Sequence, residues 1–339
     1  MKLIDVLNGQ QVWPPPAWLM RQAGRYLPEY RELRGQAGDF LSLCTNPELA
    51  AEVTLQPIRR YGFDAAILFS DILILPWALG QGLRFAEGEG PLLPPLQSRA
   101  ELAGLDLSRA VAGAAPIMET VKRVKAGLDP QTALIGFAGG PFTVGCYMLD
   151  GKGGGEFPRT RMLCYADRGL VDGVIDLLTE ATIIYLQAQI DAGADCVMLF
   201  ESWSGILPSA LFRDLVIKPA KRIVAELRTR NPGLHVIGFP RLCGLMLAEY
   251  VRETGISAVG LDSVTDIAAA IAACPPGTVF QGNLDPLLLR AGGEALIRGV
   301  EAVLDGFRGQ RHIFNLGHGI TPDVKPESVK ALMDTIRAS

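Results

Sequence analysis

Short continuous apolar runs recur along the chain, separated by longer stretches in which apolar and polar positions mix at helical spacing. The runs lie at 17–20 (AWLM), 65–70 (AAILFS), 133–138 (ALIGFA), 196–200 (CVMLF), 235–239 (HVIGF), 257–261 (SAVGL), 278–281 (TVFQ) and 312–316 (HIFNL). A run that is apolar throughout, instead of alternating, suits a strand covered on both faces. The segments between them predict helices over 46–61, 110–127, 168–193, 208–229, 245–254 and 326–337. The first is opened by Asn46-Pro47, a good N-cap followed by a proline at the first helical position. Eight strands with intervening helices predict an α/β fold, a (β/α)8 barrel in one domain over 1–339. The competing doubly wound sheet would place GxGxxG directly after the first strand. The Gly-rich stretch 151–155 (GKGGG) follows no strand, and its spacing does not match.

Composition narrows the class. The chain has 339 residues, 49% of them apolar, which rules out disorder as the main state. The net charge is −4 with no long run of one sign, so a nucleic-acid or anionic-membrane surface is not expected. No apolar stretch is long enough for a membrane span, and residues 1–11 lack the apolar core of a signal peptide. A cytoplasmic enzyme is the expectation. The six cysteines form no CxxC pair and read as buried small hydrophobes. The three histidines and the cysteines show no zinc spacing, so no metal site is expected.

In a barrel of this kind the active site lies at the carboxyl ends of the strands. The polar residues there are Arg21 and Arg25 after the first run, Ser70-Asp71 after the second, and Thr143 and Tyr147 after the third. Glu201-Ser202, Asp262-Ser263, Asn283 with Asp285, and His318 between two glycines follow later runs. Each has a plainer reading: Asp71 as a cap, Tyr147 at a core edge, Ser202 as a turn residue. Glu201 competes as a pocket acid. His235 and His312 begin strands at the opposite end and read as structural. No strand ends in a Schiff-base lysine, and no nucleophile elbow is present. Guanidiniums facing a cleft suit an anionic substrate, since the planar fork matches a carboxylate.

Residues 16–30 (PAWLMRQAGRYLPEY) and 136–148 (GFAGGPFTVGCYM), with 69–73 (FSDIL), 200–202 (FES) and 315–319 (NLGHG), resemble the signatures of the uroporphyrinogen decarboxylase family. The similarity spans nearly the whole chain. It implies a single distorted (β/α)8 barrel with a cleft at the C-terminal strand ends, and a homodimer. It also implies cofactor-free loss of carbon dioxide from the four acetate arms of uroporphyrinogen III, giving coproporphyrinogen III on the route to haem and chlorophyll. Carried over by position, the substrate pocket falls on Arg21, Gln22, Ala23, Gly24, Arg25, Asp71, Tyr147, Ser202 and His318, and less securely on Phe40. Asp71, Arg21 and Tyr147 are the residues expected to act in catalysis. Two stretches depart from the pattern. Leu261-Asp262-Ser263 stands where many members have Asp followed by Trp, and Arg241-Leu242-Cys243-Gly244 replaces a smaller, often Lys-containing stretch.

Two rival functions have sequence tests. A corrinoid-dependent methyltransferase of the same superfamily would need zinc held by His-x-Cys, and His235 is followed two positions on by Ile237. A binding module that only sequesters porphyrinogens would not need Asp71.

Overall fold

The computed structural model describes residues 1–86 and 90–339. Seven strands form one curled parallel sheet: β1 (Ala65–Ile67), β2 (Ala133–Gly139), β3 (Cys196–Glu201), β4 (Val236–Pro240), β5 (Ala258–Gly260), β6 (Val279–Leu284) and β7 (Arg311–Leu316). Each pairs with the next in chain order, for example Ile135 with Cys196 and Val197 with Val236. The strands are covered on both faces, as their unbroken apolar character predicts; every residue of β2 and β6 is buried. Burying one such Val, Leu or Phe side chain contributes roughly 1.5–3 kcal/mol.

The main helices are α1 (Pro47–Tyr61), α2 (Ala115–Gly127), α3 (Pro141–Asp150), α4 (Arg168–Asp191), α5 (Lys218–Arg230), α6 (Leu247–Thr254), α7 (Gly293–Gly306) and α8 (Pro326–Ala338). In α1 the Asn46 side chain accepts the N–H groups of Glu48 and Leu49, both at 3.1 Å, and Pro47 follows directly. Among the described residues no helix is long and apolar enough to cross a membrane. A small antiparallel pair, Arg84–Ala86 with Gly90–Leu92, stands apart from the main sheet.

The expected first strand, 17–20, is corrected. It makes a single parallel bridge, Ala17 to Phe314, and is not a strand. Side chains take the backbone donors that a ladder would use. Ala17 N–H donates to the Asp64 carboxylate at 2.9 Å, Leu19 N–H to Gln22 Oε1 at 3.0 Å and Met20 N–H to Asn315 Oδ1 at 2.9 Å. The segment still lies between β7 and β1, because Phe314 N–H reaches the Pro16 carbonyl and Asp64 N–H the Ala17 carbonyl. Two expected helices are also interrupted. The 110–127 segment breaks into Arg109–Ala112 and α2 around Gly113, where a β-carbon would lie 2.8 Å from the Ala78 carbonyl oxygen. The 208–229 segment passes through a π-turn at Arg213–Ile217 before α5.

Five of the six cysteines are buried and Cys243 is half-buried, as small hydrophobes would be. His312 is buried, stacks on Phe307 at 4.1 Å between ring centroids, and places Nε2 2.6 Å from the Gly282 carbonyl. His235 contacts Ser257 and Asn8. Both are structural, as expected.

Candidate active site

The loops that follow the strands at their carboxyl ends bring part of the predicted constellation together around Arg21. Its backbone is in the left-handed region at φ 62°, which non-glycine residues adopt rarely. Its stem lies across the turn that follows β7. A β-carbon on Gly319 would sit 2.4 Å from Arg21 Cδ, so that turn needs glycine for the guanidinium to pass. From there Arg21 acts electrostatically on Asp71, Tyr147 and His318.

Asp71 follows β1 and keeps part of its surface open. Its Oδ1 accepts the Leu73 N–H at 2.8 Å. Desolvation raises its carboxyl above the ordinary value, while the Leu73 hydrogen bond and the Arg21 charge oppose the rise. Tyr147, on α3, receives the indole Nε1–H of Trp203 at 3.4 Å. Its ring packs edge-on to Phe157, which does the same against Trp203. Burial raises the Tyr147 phenol, and the Asp71 anion adds to that. Burial pushes the His318 imidazole down to about 4, and the charges of Arg21 and Arg241 add to the effect, so the ring is neutral at pH 7.

Arg25 is exposed farther along the same loop, where its charge is felt by Tyr30. Tyr30 packs on Phe69, and Phe40 packs on both Phe69 and Phe85, giving an aromatic cluster around Phe69, two residues before Asp71. Ala23 and Gly24 are half-buried in the Arg21–Arg25 loop, and Ser202 is half-buried at the end of β3. The ion pairs of the described residues involve none of Arg21, Arg25, Asp71 and Arg241.

Other strand-end residues are turned inward. Gln22 is fully buried: its amide joins the Leu19 N–H to the Ala65 carbonyl, and its own carbonyl accepts the Tyr26 hydroxyl. Both the oxygen and the nitrogen of its side-chain amide are thus engaged inside the fold. Glu201, the competing pocket acid, is also buried. It accepts the Phe142 and Thr143 N–H groups at the start of α3 and the Thr143 hydroxyl. Asp262 holds the Leu242 and Val264 N–H groups, and Asn283 donates to the Asp262 and Thr265 carbonyls. Asp285 caps the helix Pro286–Ala291.

A family model described as Uroporphyrinogen decarboxylase (URO-D) matches residues 1–339. The chain belongs to the uroporphyrinogen decarboxylase family. The uroporphyrinogen decarboxylase of Acidiphilium cryptum (strain JF-5) is 61% identical over 336 residues, covering 99% of this chain and 94% of that one. That of Granulibacter bethesdensis (strain ATCC BAA-1260 / CGDNIH1) is 57% identical over 338 residues, covering 99% and 98%. Among solved structures, a methyltransferase from Methanosarcina mazei superposes with a TM-score of 0.81 at 21% identity, covering 99% of this chain and 97% of that one; this likeness concerns the fold alone.

Two further residues stand next to this group and are not among the sequence candidates. Trp203 follows Ser202 directly and reaches Tyr147. Arg241 is the first residue after β4. A separate recess of about 490 Å³ lies beside the small hairpin, lined by Leu83, Arg84, Pro94, Asp150 and Lys152 among others; it does not include Asp71.

Proposed function

We propose that this chain removes carbon dioxide from the four acetate arms of uroporphyrinogen III, leaving methyl groups and giving coproporphyrinogen III for haem and chlorophyll synthesis. The observation that carries the reading is the Asp71 carboxylate, in no ion pair among the described residues and partly open past the strand end, within electrostatic reach of Arg21, in a chain of this family.

Loss of carbon dioxide leaves an electron pair, and a pyrrole supplies its own sink. A proton adds to the ring's α-carbon and creates an iminium-like cation. The bond between the acetate methylene and its carboxyl then breaks, and its pair neutralises the cation. A second proton on the methylene carbon makes the methyl group, and loss of the α-carbon proton restores the pyrrole. Each cycle consumes one proton and releases one carbon dioxide. Asp71 accepts the pyrrole N–H groups and stabilises the cation. At about 4 Å and an effective dielectric near 20, such a pair is worth roughly 4 kcal/mol. The gain is larger for the cation than for the neutral ring, so it lowers the barrier as well as aiding binding.

An Arg that grips the departing carboxylate would stabilise the ground state and oppose reaction. Arg25, out by Tyr30, therefore holds carboxylates that do not react, and Arg21, at the centre of the group, works nearer the chemistry. Tyr147, Ser202 and His318 orient the ring and its arms, and Phe40 lines the apolar wall. Ala23 and Gly24 shape the loop that Gln22 anchors. The family's chemistry needs no cofactor in this reading.

We further infer that 17–20, though not itself a strand, fills the eighth strand's place between β7 and β1 and closes the curled sheet into a distorted (β/α)8 barrel, one domain over 1–339, acting as a cytoplasmic homodimer. Leu242, Leu245 and Val264, on the loops after β4 and β5, are exposed at 44%, 101% and 78% and supply an apolar face for a second copy. Sedimentation of a monomer at micromolar concentration would contradict the dimer. The functional test is anaerobic incubation with uroporphyrinogen, followed by oxidation and separation by carboxyl number. A ladder ending at the tetracarboxyl product is expected; recovery of octacarboxyl material alone contradicts the reading.

A further inference from the structure

We propose that Arg241 is a third carboxylate-binding guanidinium of the cleft, seating a substrate carboxylate between Ser202 and His318. The inference rests on the decarboxylase reading for its substrate, an octacarboxylate, and on geometry for its place.

The backbone of Arg241 is fixed from several sides. Its N–H reaches the Glu201 carbonyl at 3.1 Å, and its own carbonyl accepts the Gly205 N–H at 3.2 Å and the Ser204 hydroxyl at 3.0 Å. The next residue, Leu242, is held at φ 59° with its N–H on the Asp262 carboxylate at 2.6 Å. The side chain is far less committed. Its one protein hydrogen bond among the described residues is from Nη1 to the Ser202 carbonyl at 3.5 Å, near the outer limit for such a bond. Guanidinium carries five N–H donors, so most are left over.

The surroundings call for an anion. Arg241 is half-buried and has no carboxylate partner among the described residues, and its charge is felt at His318, where that of Arg21 is felt as well. Arg21 is exposed and Arg241 half-buried, and both charges reach His318, so a carboxylate placed among them gains from both. Asp262, the nearest acid in the adjoining loop, is already used by Leu242, Val264 and Thr265. A carboxylate arm that does not react would be held equally in ground and transition states, so Arg241 acts on KM more than on kcat.

The test compares the parent with R241Q and R241K. R241Q is expected to raise KM for uroporphyrinogen about tenfold while kcat falls less than threefold, with a weaker dependence of KM on salt. R241K is expected to recover KM to within about threefold of the parent, since a point charge still meets the carboxylate. A KM for R241Q within twofold of the parent overturns the proposal. So does an R241K variant as defective as R241Q, which would mark a structural role. A second measurement separates this from the functional reading. Anaerobic ultrafiltration of uroporphyrinogen with D71N and with D71N/R241Q reads binding without turnover. About tenfold weaker binding in the double variant supports Arg241 even if the parent proves inactive; equal binding overturns it.

Discussion

The Glu201 carboxylate and the Thr143 hydroxyl lie 2.7 Å apart, buried beneath the first turn of the helix that carries Tyr147. The same Thr143 oxygen accepts the Trp203 N–H at 3.1 Å, and the Trp203 indole donates to Tyr147. Glu201 therefore sets the helix start and the tryptophan together, and through them the phenol. Burial pushes its carboxyl up to about 7, with hydrogen bonds from Thr143 and Phe142 opposing.

The raised Glu201 carboxyl makes folding stability depend on pH. The folded state holds a proton that the unfolded chain has released between pH 4.5 and about 7. The contribution is full below 4.5 and is lost as pH rises to about 7, on the order of 3 kcal/mol over the window. E201Q removes this dependence. Denaturant melts at pH 5 and 7.5 are expected to show a smaller difference for E201Q than for the parent; an unchanged difference would locate the effect elsewhere.

Trp203 is expected to act through Tyr147. W203F keeps an aromatic ring against Phe157 but removes the indole donor. A fall of up to about tenfold in kcat/KM is expected, the scale of one neutral hydrogen bond. In a double-mutant cycle with Y147F, the W203F effect should largely vanish. Full additivity would show that the two residues act independently.

The three histidines offer a clean titration. Burial holds His312 and His318 down at about 4 and lowers His235 from 6.5. Their unfolded forms bind protons that the folded forms refuse, so each stabilises above pH 6.5 and loses that contribution as pH falls towards its folded value. Imidazole proton shifts of the free protein should show no inflection from His312 or His318 between pH 5.5 and 8. An inflection near 6.5 from His318 would mean that its ring is open to water.

Gln22 carries a different expectation from its neighbours in the loop. Q22M leaves the Leu19 N–H and the Ala65 carbonyl without partners in a buried place. A stability loss of about 2 kcal/mol or more is expected in urea unfolding. A variant as stable as the parent, with weakened substrate binding, would instead return the Gln22 amide to the cleft.

Much of this was legible in the sequence because burial on both faces leaves a simple trace. The runs at 133–138 and 196–200 are apolar throughout and became β2 and β3 almost residue for residue. The 17–20 run carries the same trace and is not a strand, because Asp64, Gln22 and Asn315 satisfy its backbone from elsewhere in the chain. Strand-end position located Arg21, Asp71, Tyr147 and His318 together, but it could not separate them from Glu201, Asp262 and Asn283. Those face inward for reasons that depend on distant loops. In the sequence Arg241 shows only as a departure from the family pattern; the fold sets it against Ser202 and within electrostatic reach of His318.

The central claim is that the Asp71 anion stabilises the cation formed on the pyrrole. It is tested most directly by the single-turnover rate of D71N with uroporphyrinogen under anaerobic conditions. Asn keeps the shape and the Leu73 hydrogen bond but removes the charge. A fall of about a hundredfold to a thousandfold is predicted, in line with roughly 4 kcal/mol of cation stabilisation. A rate within a few-fold of the parent would contradict the account.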